Sequence, residues 1–292
     1  MGTVRITHNV LSETVLAGLN AALERLDRLQ DQVTSGKRFT RPSHDPVGVA
    51  RSLDHRTALA ATEQYLRNVD SALAWLQATD IALAGAGDVF QRARELGVRA
   101  ANNALSADDR SAIVAELDQL TAQLLELSNT SYDDQYLFAG LKTGTRPFAV
   151  AGGPYQGDTG QVLREVGPQS VLAVNIPGQP AFSDGFAALA GLRAAVLSND
   201  GVAISSALAT LDTAHAGLLA ARAQAGAKMN RLEAVMQQLQ EQRTNLKQLL
   251  SQVEDADMAE TLVLYNEQQN VYRAALGAGA RAIQPSLLDY LG

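Results

Sequence analysis

The eight prolines of this chain stand in three places, and that distribution constrains its fold more than any other feature. Pro42 and Pro46 form the first group, Pro147, Pro154, Pro168, Pro177 and Pro180 the second, and Pro285 stands by itself. A proline inside a helix removes a hydrogen bond and clashes with the preceding turn, at about 3 kcal/mol. The two proline-free stretches, Pro46 to Pro147 and Pro180 to Pro285, are each about a hundred residues long and free to be helical. Composition agrees: 46% of the residues are hydrophobic but only 5% are aromatic, and apolar material rich in Ala and Leu favours long helices over packed sheets.

Periodicity places the seams. Leu16, Leu19, Leu23, Leu26 and Val33 repeat at three and four with Gln30 in the missing position, as do Leu232, Val235, Leu239, Gln242, Leu246, Leu249 and Val253. Val69, Leu73, Leu76 and Leu83 form a third run around Asp80, and Ile113, Leu117, Leu120, Leu124 and Leu127 a fourth. Such heptad-like spacing predicts helices packed nearly parallel along their length. A single helix over Val202 to Leu250 would span roughly 70 Å, against a diameter near 50 Å for a compact chain of this size. The expected shape is therefore an elongated rod.

Between Gly144 and Pro180 the pattern changes. Turn residues (Gly152-Gly153-Pro154, Gly157-Asp158, Gly167-Pro168, Pro177-Gly178) separate short β-prone runs at Phe148 to Ala151, Gln161 to Val166 and Val171 to Ile176. That predicts a small β insertion, after which helix resumes at about Asp184. The expected fold is thus mainly α with a small β insertion: long antiparallel helices in coiled-coil-like packing, with the N- and C-terminal helices paired at one end. Three domains are expected: 1–42 with 251–292, 43–143 with 184–250, and 144–183.

Several function classes find no support. Without cysteine there is no disulfide framework, thiolate metal site or thiol nucleophile. Apolar runs such as Ser71 to Leu76 and Ile81 to Ala86 are too short to span a bilayer, and no basic-then-apolar signal opens the chain. The four histidines (His8, His44, His55, His215) are not spaced as zinc ligands on one helical face. Glu254, Asp255, Asp257 and Glu260 lack the order and central glycine of a calcium loop and read better as carboxylates at a helix start. Asp133-Asp134 is expected to be a surface turn, not an acid-base pair. Arg92, Arg94 and Arg99 have no interleaved aromatic residues to stack bases. Gly85-Ala86-Gly87 follows no strand and fails as a phosphate loop. No enzyme activity, cofactor, metal, nucleic acid or membrane partner is expected.

The net charge of -7 is concentrated. Asp108 to Asp200 carries eleven carboxylates against five bases, net -6, while both ends are close to neutral. This suits a middle that faces solvent and ends that face protein.

The two terminal helices, about Leu11 to Val33 and about Met258 to Leu276, each carry an apolar stripe with no third element in sequence to cover it. Burying one leucine contributes about 1.5 to 3 kcal/mol, against about 1 to 2 for ordering each residue, so a lone pair is marginal. These helices are expected to be frayed in isolation and to order on association. The candidate assembly residues are Leu16, Leu19, Leu23, Leu26 and Val33 at one end and Leu262, Tyr265, Tyr272, Leu276, Leu287, Leu288 and Leu291 at the other. The same residues can also serve an intramolecular core.

Several motifs then carry a resemblance. Ser35-Gly36-Lys37-Arg38-Phe39 with Arg41-Pro42-Ser43-His44-Asp45-Pro46 reads as a helix C-cap at Gly36 followed by an N-cap at Asp45 and a first helical position at Pro46. With Gln135-Tyr136-Leu137-Phe138-Ala139-Gly140, Tyr155-Gln156-Gly157-Asp158, Arg222 to Glu233, Val253 to Glu260 and the ending Gln284 to Leu291, it resembles the bacterial flagellin family. Within that family it is most similar to the hook-associated proteins of the hook-filament junction. The sequence departs from the family pattern at His44 and at Asp133-Asp134. The resemblance implies a structural subunit secreted through the flagellar type III apparatus and assembled as a homo-oligomer outside the cell. Its implied partners are the other hook-associated junction protein, flagellin and an export chaperone; the alternative is flagellin itself, the filament subunit.

Overall fold

A computed structural model describes residues 8–102 and 105–283. Six helices make up most of it: α1 (His8–Ser35), α2 (Pro46–Ala100), α3 (Ala107–Ser128), α4 (Asp184–Ser198), α5 (Gly201–Glu254) and α6 (Met258–Ile283). Two antiparallel hairpins, β1 (Ser131–Tyr132) with β2 (Gln135–Tyr136) and β3 (Leu163–Gly167) with β4 (Ser170–Ala173), and a π-helical turn, Gln179–Ser183, lie between α3 and α4. The chain divides into two compact units, residues 1–60 with 243–292, and residues 61–242.

The helix boundaries follow local chemistry. Gly36 adopts φ +69°, a left-handed conformation that ends α1 and that side chains other than glycine's rarely tolerate. Asp45 Oδ1 accepts from the Gly48 backbone N–H at 2.8 Å, and Pro46 opens α2 where no amide donor is needed. Helix α2 ends at Ala100, and α3 opens on a capping box in which Ser106 and Asp109 exchange side-chain and backbone hydrogen bonds. The sequence offered no proline at that break.

In the larger unit α2 to α5 form an antiparallel bundle. The periodic residues Val69, Leu73, Leu76 and Leu83 on α2, Leu117 and Leu124 on α3 and Leu232 and Leu239 on α5 are all buried, with Leu211 and Leu218 beside them. Asp80, which interrupts the α2 seam, receives Arg222 of α5 at 2.8 and 3.3 Å. Arg92 pairs with Glu116 of α3 at 2.6 Å, Arg94 with Asp212 of α5 at 2.9 Å, and Arg193 of α4 with Asp118 at 2.7 Å. These pairs sit at the surface and contribute alignment more than stability.

The region between α3 and α4 is joined to this bundle by aromatic packing. Phe148 lies 5.3 Å from Phe186 of α4 between ring centroids, and within the region itself Phe138 lies 4.7 Å from Phe182. The predicted β run at Gln161 to Val166 pairs with that at Val171 to Ile176 as β3–β4, whereas Phe148 makes only an isolated bridge to Tyr155. Asp133 and Asp134 both take positive φ, 51° and 57°, and form the two-residue turn of β1–β2. Asn68 Nδ2 donates to the Glu165 carbonyl at 2.8 Å, fixing β3 against α2.

By length and composition two helical stretches could cross a membrane, Gln179–Ser198 and a window within Gly201–Glu254, which corrects the expectation drawn from unbroken apolar runs. Of their large apolar side chains Phe186, Leu189, Leu192 and Leu211 are buried in the bundle, whereas Leu197 and Leu219 are about half exposed.

Gly185 shows how tightly α4 is seated, because a Cβ there would lie 2.4 Å from Phe90 Cζ and 2.9 Å from its Cε1. Gly185→Ala is expected to destabilise the larger unit by about 1 to 3 kcal/mol through overpacking, seen as a lowered thermal midpoint by circular dichroism.

Candidate assembly interface

In the terminal unit α1 and α6 run antiparallel. Gln268 Nε2 donates to the Ala22 carbonyl at 3.2 Å, and further along a Cβ on Gly279 would come within 2.8 Å of Val15 Cγ1. Leu19, Ala22, Leu26 and Val33 of α1 are half or fully buried, as are Thr261, Tyr265, Tyr272 and Gly279 of α6.

This pairing splits the predicted stripe. Leu19, Leu26 and Val33 are half-buried, while Leu16 and Leu23 remain 54% and 48% exposed. On α6 Tyr265 and Tyr272 are half-buried, while Leu262 and Leu276 are each 44% exposed and are joined by Val263, Leu264 and Val271. Leu287, Leu288 and Leu291 lie outside the described residues. The split has a geometric cause: residues at three-and-four spacing form a band two side chains wide, and one partner helix covers one flank of it. Ala22 is the one buried apolar residue of this unit among the described residues, and the remaining core of the protein lies between Leu66 and Leu239.

A polar hub, absent from the sequence-based expectations, ties the unit together. Glu254 at the end of α5 is only 3% exposed. Its carboxylate accepts from Arg56 Nε at 2.7 Å and Nη2 at 2.8 Å, from the Ser52 hydroxyl, and pairs with Lys37 Nζ at 3.2 Å. Lys37 also donates to Asp255 at 2.6 Å, and the backbones of the two segments bond directly: Arg38 N–H to Glu254 O at 2.6 Å, and Ala256 N–H to Gly36 O at 2.9 Å. Hydrogen bonding from Arg56, with Ser52 and Lys37 adding, pushes the Glu254 carboxyl down to about 2 against the opposing effect of burial. Asp255 is lowered as well, chiefly by Lys37.

The acidic run thus divides its labour. Asp257 caps α6, its Oδ1 accepting from the Ala259 and Glu260 amides at 2.9 and 3.2 Å. Glu254 and Asp255 close the α1–α2 connection instead. No local spacing signals that role, because their partners are about two hundred residues away. Among the described residues no group of three or more His, Asp or Glu is placed to hold a metal.

The family model of the bacterial flagellin N-terminal helical region matches residues 6–143, and that of the C-terminal helical region matches residues 208–291. Flagellar hook-associated protein 3 of Escherichia coli (strain K12) is 26% identical over 94% of this chain and 96% of its own length. Flagellin FlaB1 of Treponema pallidum (strain Nichols) is 25% identical over 98% of this chain and 99% of its own. Among solved structures, Bacillus cereus FlgL superposes with a TM-score of 0.62 at 25% identity, covering 68% of this chain and 99% of its own. The flagellar junction protein FlgL from Legionella pneumophila shares the fold with a TM-score of 0.57 at 17% identity, over 72% of this chain and 100% of its own.

Because Glu254 titrates lower in the folded chain than in the unfolded one, its contribution to stability is full above its ordinary value of 4.5 and is lost as pH falls from there towards 2. Acidification across that window is expected to loosen the 36–45 connection before the larger unit unfolds. Glu254→Gln is expected to do so at neutral pH, removing about 1 to 3 kcal/mol of local stability. Hydrogen exchange of residues 36–45 measures both effects.

Proposed function

Since this chain belongs to the bacterial flagellin family, we propose that its exposed terminal helices build the flagellum's hook-filament junction, as in the hook-associated proteins it resembles along nearly its whole length. The function is structural. One observation carries the reading: the terminal unit leaves Leu16, Leu23, Leu262, Val263, Val271 and Leu276 exposed while fully burying little apolar surface of its own. Exposed apolar area of this kind, aligned along two helices, is characteristic of surfaces completed by other protein molecules.

In this reading Leu19, Leu26, Val33, Tyr265 and Tyr272 hold α1 to α6 within one subunit. Leu16, Leu23, Leu262 and Leu276 meet helices of neighbouring subunits, and Leu287, Leu288 and Leu291 continue the same apolar series. The neighbours are further copies of this chain, the other hook-associated junction protein on one side and flagellin on the other. Export runs through the flagellar type III apparatus, with a chaperone holding the apolar C-terminal segment beforehand. Terminal segments whose apolar surface is unsatisfied until assembly suit a subunit that travels unfolded and orders on arrival.

The competing assignment is the filament subunit, since spirochaete flagellins match at comparable identity. Deletion of the gene separates the two. Cells that retain hooks, lack filaments and release flagellin into the medium indicate the junction protein; overexpression that restores filaments built of this chain indicates flagellin. Leu23→Asp adds a charge at a position already half in water, so helicity and thermal midpoint of the purified chain are expected to stay within about 0.5 kcal/mol of the parent. Incorporation into flagella, read by immunoblot of sheared filaments and hooks, is expected to be lost. Normal incorporation of that variant contradicts the reading.

A further inference from the structure

Residues 1–60 and 243–292 carry twelve arginines and lysines and twelve carboxylates, so the terminal unit is neutral overall, yet its charges are sorted in space. Arg25, Arg28 and Gln32 of α1, Arg38 and His44 of the following connection, and Gln268 of α6 line one groove of about 370 Å³. None of the three arginines has a carboxylate within 4 Å among the described residues, in contrast to the neighbouring Lys37 and Arg56, which are engaged by Glu254. Three guanidinium groups thus share one groove with no carboxylate in pairing distance, a setting that suits a carboxylate from another molecule.

The matching anions stand on the same helix. Glu13, Glu24 and Asp27 are exposed, Asp31 is half-exposed, and none of them forms an ion pair with a described residue. At 3.6 residues per turn they fall on a strip centred roughly a quarter of the circumference away from the arginines. Glu24 and Asp31 stand four and three residues from Arg28, a spacing that permits intrahelical pairs, but Arg28 lines the groove instead. The exposed Leu16 and Leu23 lie between the α6 seam and this acidic strip, so the acidic strip borders the apolar surface already assigned to assembly.

From this sorting we infer that the arginine groove of one copy receives the α1 carboxylates Glu24, Asp27 and Asp31 of an adjoining copy. The two surfaces differ, so the contact is heterologous and propagates around a ring or along a helical array instead of closing a two-fold dimer. Its charged groups set register and reject wrong neighbours, while the bordering leucines supply the buried area. The inference rests on the proposed assembly into the flagellum and specifies which surfaces of the subunit meet.

Charge reversal in the full-length chain tests it. Arg25→Glu with Arg28→Glu makes both surfaces acidic, and Glu24→Arg with Asp27→Arg makes both basic. In cells lacking the native gene, each double variant by itself is expected to lower the fraction of cells bearing filaments roughly tenfold or more, since like charges oppose at every contact. Expressed together, the two variants can alternate, and filaments are expected to return. Normal filaments with either variant by itself, or no recovery on co-expression of two variants that retain parental helicity, overturns the inference. A second measurement avoids charge reversal. The chain has no cysteine, so Arg28→Cys and Asp27→Cys chains expressed together should give a dimer with a short thiol-reactive cross-linker in isolated flagella, and neither should do so when expressed without the other. Absence of that mixed dimer, with both chains present in the flagella, also overturns it. Absence of even the parental chain from flagella would instead refute the junction role.

Discussion

A pair of antiparallel helices has one seam, and an apolar band two side chains wide cannot be buried by one seam. That constraint governs the terminal unit. The larger unit escapes it because α3 and α4 supply further faces, so that the α2 seam from Val69 to Leu83 is covered and the periodic leucines of α5 are buried as far as Leu239. Beyond Leu239 the same repeat continues in sequence, but Leu246 is only half-buried and Leu249 is exposed. One heptad pattern therefore has two fates within a single helix, decided by how many neighbours surround it.

The hub at Glu254 answers a different requirement. With so little apolar core, the terminal unit needs another means of fixing where α1 stops and α2 begins, and two crossed backbone hydrogen bonds with three side-chain donors on one carboxylate provide it. A buried carboxylate is costly unless its lone pairs are satisfied, and here they are. The result fixes a connection without consuming the leucines that face outward. The connection is therefore held by polar side chains, while Leu16, Leu23, Leu262 and Leu276 stay exposed.

Charge sorting along α1 extends the same economy. The helix presents an apolar seam to α6, an exposed leucine flank, an acidic strip and an arginine edge, each on its own sector. A surface helix of a self-sufficient domain needs only two sectors, apolar and polar. Helix α1 carries four, and only the first is covered by α6.

Local chemistry was legible in the sequence by itself. Helix ends at Gly36, Asp45 and Pro46, the helical seams, and the turn-rich β region before Asp184 all depend on interactions within a few residues, and such interactions are encoded in spacing. The break between Ala100 and Ala107 was signalled only by Ser106 and Asp109, a cap three residues apart that is weaker than a proline. What tertiary structure decided was which member of each pattern faces which neighbour. Spacing places Leu19 and Leu23 in one band; only the position of α6 puts the first against a partner and leaves the second in water. Likewise Glu254 reads as one carboxylate in an acidic run until the fold brings Lys37, Ser52 and Arg56 to it, because contacts across two hundred residues leave no trace in periodicity.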